Sequence, residues 1–250
     1  MLLCASALVS CTKVDVQSIT EAPPGSARIK YFAFAVGAPS VNFYVNNTKV
    51  TAIGAASGGE SPNGTAYGSL GNAGFYMAVE PGQYTIAAKT SPTATTDPGL
   101  VISSVATNVT AGTSYSFYQS GIYNTTTKTA DAFIVEDPLP DFDWTQGYVR
   151  FVNASSNSAP MILYLKNTTT SVEAAIGGAA AYKSAGTFLA IPTGTYDLSA
   201  RASGSSTNLI ARASISFSAG HVYTVTARGD MTVTSTTSAN RPILDNYANR

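Results

Sequence analysis

At 250 residues and 25.8 kDa the chain is long enough for one large or two small domains with a real hydrophobic core. Charged residues make up only 11%, with 14 Lys and Arg balancing 14 Asp and Glu, against about 25% charged in ordinary soluble domains. That balance excludes the basic face a nucleic-acid binder needs, and it excludes charge-driven disorder. The palette of 28 Ser, 31 Thr, 21 Gly and 14 Tyr favours strands and turns, as in a secreted all-β protein.

In chain order, the first element is an apolar run over residues 2–10, ending in Ser10 and followed at once by Cys11. It is far short of the roughly 20 residues a membrane-spanning helix needs and fits the apolar stretch of a secretory signal, although no Lys or Arg precedes it. Leu8-Val9-Ser10-Cys11 resembles the lipobox of bacterial lipoproteins. The resemblance implies a signal over residues 1–10, diacylglycerol on the Cys11 thiol, and a membrane partner reached through that anchor. Cys4 would leave with the signal, so cysteine contributes no disulfide and no metal site to the mature fold. Residues 11–26, with Pro23-Pro24-Gly25, read as a tether.

An internal repeat then dominates. Arg28-Ile-Lys-Tyr-Phe32 and Tyr148-Val-Arg-Phe-Val152 open the copies over residues 27–135 and 147–235. Their alternation predicts a strand with Ile29 and Tyr31 on one face and Lys30 on the other. Ala38-Pro39 and Ala159-Pro160 follow, then Val41–Thr48 and Met161–Thr168 without a gap. Asn46-Asn47 suits a hairpin turn, because Asn tolerates positive φ. Further on, Gly82-Gln-Tyr84 matches Gly194-Thr-Tyr196, and Ala111-Gly112 with Tyr115 matches Ala219-Gly220 with Tyr223. Tyr84, Ile86, Tyr115, Tyr196, Leu198 and Tyr223 are the expected core. About seven strands per copy, punctuated by Gly, Pro and Asn, predict two tandem Ig-like or transthyretin-like β-sandwiches. The Ala-rich patch 174–181 allows a helical turn, interrupted by Gly177-Gly178. Residues 236–250 read as a C-terminal segment outside the second sandwich.

The order of these motifs resembles the bacterial DUF4397 family, whose domains often occur as tandem copies in envelope proteins. The likeness lies in the two strand openings, the Ala-Pro stretches, the Pro81-Gly82-Gln-Tyr84 and Pro192-Thr-Gly194-Thr-Tyr196 turns and the two Ala-Gly strands. The family's His-Ala-Ser-Pro-Asp-Ala-Pro stretch is degraded here, at residues 33–39 and 153–160. The resemblance implies fold rather than chemistry.

Between the copies, residues 136–146 form a Pro- and acid-rich linker that Pro138 and Pro140 stiffen. Glu136, Asp137, Asp141 and Asp143 are the one dense acidic group; oxygen ligands of this kind suit Ca²⁺, but the spacing fits a solvated linker better. Phe142, Trp144 and Tyr148 form an aromatic cluster able to contact a ligand such as a sugar ring, or to pack the junction between copies. His221 is the one histidine and reads as a turn residue, its counterpart in the first copy being Thr113. Arg228-Gly229-Asp230 spells an adhesion tripeptide that occurs readily by chance. No nucleophile elbow, phosphate loop or Cys/His metal cluster is present, so no cofactor and no enzyme activity is expected. The composite expectation is an outer-membrane lipoprotein, periplasmic or surface-facing, that binds a polysaccharide or envelope protein. The alternative is a structural spacer with no small ligand.

Overall fold

The computed structural model describes residues 23–53 and 61–250; the apolar leader, Cys11 and most of the tether lie outside them. The first copy contributes β1 (Ala27–Ala33), β2 (Asn42–Val45), β3 (Thr48–Lys49), β4 (Ser69–Leu70), β5 (Met77–Val79), β6 (Gly82–Lys89), β7 (Val101–Val109), β8 (Ser114–Asn124) and β9 (Thr129–Glu136). The second copy repeats them one for one as β10 (Gly147–Asn153), β11 (Met161–Asn167), β12 (Glu173–Ala180), β13 (Ser184–Ala185), β14 (Leu189–Ile191), β15 (Gly194–Ala202), β16 (Ile210–Phe217), β17 (Val222–Arg228) and β18 (Ile243–Ala248).

Each copy is a sandwich of two sheets. One runs β4-β1-β8-β9, with β5 continuing the β4 edge along β1, and faces β3-β2-β6-β7. The second copy has β13-β10-β17-β18, with β14 on β10, facing β12-β11-β15-β16. The parallel pairs are in matching register, Ile29 opposite Tyr115 in β1/β8 and Val149 opposite Tyr223 in β10/β17. The two tandem β-sandwiches read from the sequence are therefore present, with nine strand segments per copy rather than about seven. The extra segments are short edge pieces that carry little apolar pattern.

Inward-facing residues of each sandwich make separate cores. Ile29, Tyr31, Val41, Phe43, Ile86 and Phe117 fill the first; Val149, Phe151, Leu163, Leu198, Phe217 and Val225 fill the second. Tyr115, Tyr196 and Tyr223 are buried as expected, whereas Tyr84 is only half-buried.

A third core joins the copies. Residues alternate along β1, so Phe32 and Phe34 point away from Ile29 and Tyr31 and meet Tyr118 of β8, Phe133 of β9, and Val152 and Ala154 of the second copy. Phe32 stacks on Tyr118 at 4.4 Å between ring centroids and meets the edge of Tyr247 of β18 at 5.4 Å. The β4-β1-β8-β9 and β13-β10-β17-β18 sheets thus pack face to face, and the molecule is a stack of four sheets.

Three sequence readings change. Residues 174–180 of the Ala-rich patch form strand, not a helical turn: β12 pairs with β11, and the register shift between Met161 and Leu163 absorbs the chain around Gly177, whose φ is +71°. The C-terminal segment supplies β18, the counterpart of β9, paired antiparallel to β17. The linker is not solvated throughout: the Asp137 side chain is fully buried, and its N–H donates to Ser114 O at 2.7 Å.

Candidate functional site

The four acidic residues do not converge. Glu136 ends β9 with its side chain exposed, while its carbonyl accepts from Arg150 Nη1 at 2.8 Å. Asp137 is paired with Arg150. Asp141 is exposed. Asp143 folds onto its own turn, accepting from Thr145 N and Oγ1 and from Gln146 Nε2 at 2.7–2.8 Å, and these bonds hold its carboxyl below the usual range. Among the described residues no three His, Cys, Asp or Glu side chains are placed to hold a metal ion.

The buried polar groups gather instead on the seam between the copies, and they obey the repeat. Lys30 of β1 and Arg150 of β10 occupy equivalent positions; so do Ser116 and Thr224, opposite them in the parallel pairs. Tyr115 faces Glu136 and Tyr223 faces Ala248, which makes Asp137 and Asn249 equivalents. Each cation reaches across: Lys30 Nζ donates to Ala248 O at 2.7 Å, and Arg150 Nη1 donates to Glu136 O, the matching carbonyl of the other copy. Each also lies over an equivalent ring of its own copy, Lys30 over Tyr76 at 4.5 Å and Arg150 over Phe188 at 4.6 Å. Such contacts favour a desolvated cation.

Asp137 is the common acceptor. It takes a charge-assisted bond from Arg150, one from Ser116 Oγ at 2.8 Å and one from Tyr76 Oη at 2.5 Å. Asn249 Nδ2 donates to Tyr76 Oη at 2.7 Å, and Thr224 Oγ1 donates to Asn249 Oδ1 at 2.7 Å. Burial lowers the Lys30 amine to about 8 despite the Asp137 charge nearby, and Arg150 pushes in the same direction as burial. Burial raises the Tyr118 phenol to about 12 and the Tyr76 phenol further still. The sequence signal for this network was the basic residue in each strand opening, Lys30 and Arg150; its equivalence across the copies was visible, its burial was not.

Beside this seam runs a cleft of about 660 Å³ lined by Lys30, Leu70, Phe75, Tyr76, Tyr247 and Arg250 among others. Phe75 is 71% exposed at its rim.

The aromatic cluster is split. Phe142 and Trp144 meet edge to face at 4.4 Å, with Trp144 77% exposed. Tyr148 lies on β10, half-buried, in no ring contact with either; its Oη accepts from Gln146 Nε2 at 3.3 Å. Trp144 covers the turn before β17. Gly220 there has φ +73°, and a Cβ on it would lie 3.1 Å from the indole. In the first copy the matching Gly112 has open space around it. Arg250 closes the other side, its guanidinium 5.1 Å from the Phe142 ring centre and donating to Pro140 O at 2.8 Å.

The remaining motifs are accounted for locally. His221 is exposed, its Nδ1 2.9 Å from Ala219 O and its ring stacked on Tyr223. In Arg228-Gly229-Asp230, Arg228 is buried against Asp245 and over the Phe34 and Tyr67 rings, so the tripeptide is not displayed. No described helix is long and apolar enough to cross a membrane.

Comparison with curated proteins gives no match. Among solved structures, a candidate cell adhesion protein of Bacteroides fragilis is 9% identical, the likeness covering 90% of this chain and 98% of that one at a TM-score of 0.24. Another from Bacteroides ovatus is 12% identical, covering 92% and 97%, at a TM-score of 0.22. Likenesses of this size say nothing about function. The family model described as a domain of unknown function, DUF4397, matches twice, at residues 27–164 and 148–246. With both sandwiches matched, the chain belongs to the DUF4397 family and carries two copies in tandem.

Proposed function

We propose that this chain is a non-enzymatic lipoprotein of the bacterial cell envelope, anchored through Cys11, that binds a polysaccharide or a protein partner on the Phe142–Trp144 surface. The observation that carries the reading is a tryptophan 77% exposed yet held in place, by Phe142 at 4.4 Å and by the Gly220 turn beneath it. A fixed, exposed indole offers a flat apolar face at little entropic cost on binding, which suits the apolar face of a sugar ring or an apolar side chain. The backbone of Gln146 accepts from Gly220 N at 3.0 Å, so the segment bearing Trp144 is tied to the β16–β17 turn. The test is a glycan array and isothermal titration on the purified chain. We expect binding that falls at least tenfold in Trp144→Ala with the fold unchanged by circular dichroism; equal binding by wild type and variant would sink the role of this surface.

One observation favours the second reading, a spacer within the envelope. The copies are joined by a core of their own, as a rigid strut requires. A blank array together with normal envelope display of Trp144→Ala would select that reading.

A further inference from the structure

The cleft beside the seam has features that the Phe142–Trp144 surface lacks, and its reading stands independently of that surface. Its walls are apolar and aromatic: Leu70 and Phe75 from the first copy, Tyr247 from the second, with Tyr76 between them. Its charged lining side chains are Lys30 and Arg250, both cationic; among the described residues no Asp or Glu side chain lines it. Lys30 is 2% exposed, and among the described residues its ammonium donates to Ala248 O, one acceptor for three N–H groups.

Among the side chains around Lys30 the charge count does not close. Lys30 and Arg150 share one buried carboxylate, Asp137, and Arg150 holds it directly. Tyr76 stays protonated, since burial raises its phenol. One positive charge is left over in a desolvated place, where unpaired charge is costly. The repeat shows what is missing. At the equivalent place in the second copy, Arg150 faces the carboxylate of Asp137; Lys30 faces the neutral amide-bearing position, Asn249.

We propose that this cleft binds an organic anion, a single carboxylate on an apolar or aromatic body, with the carboxylate at Lys30 Nζ and the body between Phe75, Leu70 and Tyr247. A volume of about 660 Å³ lies within the roughly 300–1,000 Å³ usual for small-molecule sites.

The experiment is isothermal titration of the purified chain at pH 7 with naphthalene-2-carboxylate and with the isosteric naphthalene-2-carboxamide. The acid is expected to bind at least tenfold more tightly than the amide. Lys30→Met should bring the acid to the affinity of the amide. Phe75→Ala, at an exposed position that the fold does not need, should weaken both probes by similar factors, which ties binding to this cleft even if Lys30→Met folds poorly. Equal affinity for acid and amide in the wild type would overturn the proposal. So would the absence of binding by either at millimolar concentration, or an unchanged preference in Lys30→Met.

Discussion

Two ion pairs in this molecule look alike on paper and differ in consequence. Arg201 and Glu173 form a bidentate bridge at 2.7 Å on the outer face of the second sandwich, partly exposed to water. Arg150 and Asp137 are fully buried. Glu173→Gln should change stability by less than about 1 kcal/mol. Asp137→Asn keeps the shape but strands a buried guanidinium and should cost about 3–5 kcal/mol in a urea titration. A loss in Asp137→Asn no larger than in Glu173→Gln would refute the buried network. Lys30 makes a separate prediction about pH. Its folded pKa, about 8, lies below the ordinary 10.5, so between these values the unfolded chain holds the proton more firmly. Stability should therefore rise as pH goes from 8 to 9, and the penalty is fully present below 8. From about pH 9 the buried tyrosines act the other way, because the unfolded phenols begin to ionise while burial keeps the folded ones protonated. Urea midpoints across pH 7–9 should rise in the wild type and stay flat in Lys30→Met; parallel curves would rule out Lys30 as the cause.

At the scale of elements, the central strands of the two seam sheets are buried on both faces. β1 sends Ile29 and Tyr31 to its own core and Phe32 to the seam, where Phe34 just past its end joins it. Phe32→Ala should cost about 3–5 kcal/mol, as for other well-packed buried aromatics. Its signature lies in the other copy: amides of β10 should exchange hydrogen faster, although no residue of the second core has changed. Unaltered exchange in β10 would mean that the copies do not share a core. Much of this element layout was legible. The repeated Gly-x-Tyr and Ala-Gly turns carry the chain from one sheet to the facing one at equivalent places in both copies, and their glycines take positive φ that other residues resist (Gly82 at +154°, Gly194 at +155°, Gly112 at +72°, Gly220 at +73°). The docking of the copies was legible only in part. Tyr31-Phe-Ala-Phe-Ala-Val36 is a continuous apolar run, the mark of a strand covered on both sides, but Lys30 and Arg150 beside it argue for a solvated face. They are tolerated inside because carbonyls of the opposite copy and the Asp137 carboxylate accept their protons, partners more than a hundred residues away for Lys30. The candidate site divides the same way. Trp144 and Phe142 could be singled out as neighbours in sequence, whereas the cleft needs Phe75, Lys30 and Tyr247 together, and only the fold assembles them.

As a whole, the molecule is a four-sheet stack with three cores, and residues 137–146 run along the seam rather than stringing two separate beads. Hydrogen bonds to Ser114 O and from Arg250 to Pro140 O pin that segment to both copies. Rigid docking matters for either proposed role: it fixes the Trp144 surface relative to the first copy, and it builds the cleft out of both. Small-angle X-ray scattering on the soluble chain in dilute solution tests the docking most directly. A compact chain of this length has a radius of gyration of about 18 Å, and the docked sandwiches should give a value close to it, with one maximum in the pair-distance distribution. A clearly larger radius with a second maximum would show two sandwiches moving apart on a linker and would contradict it.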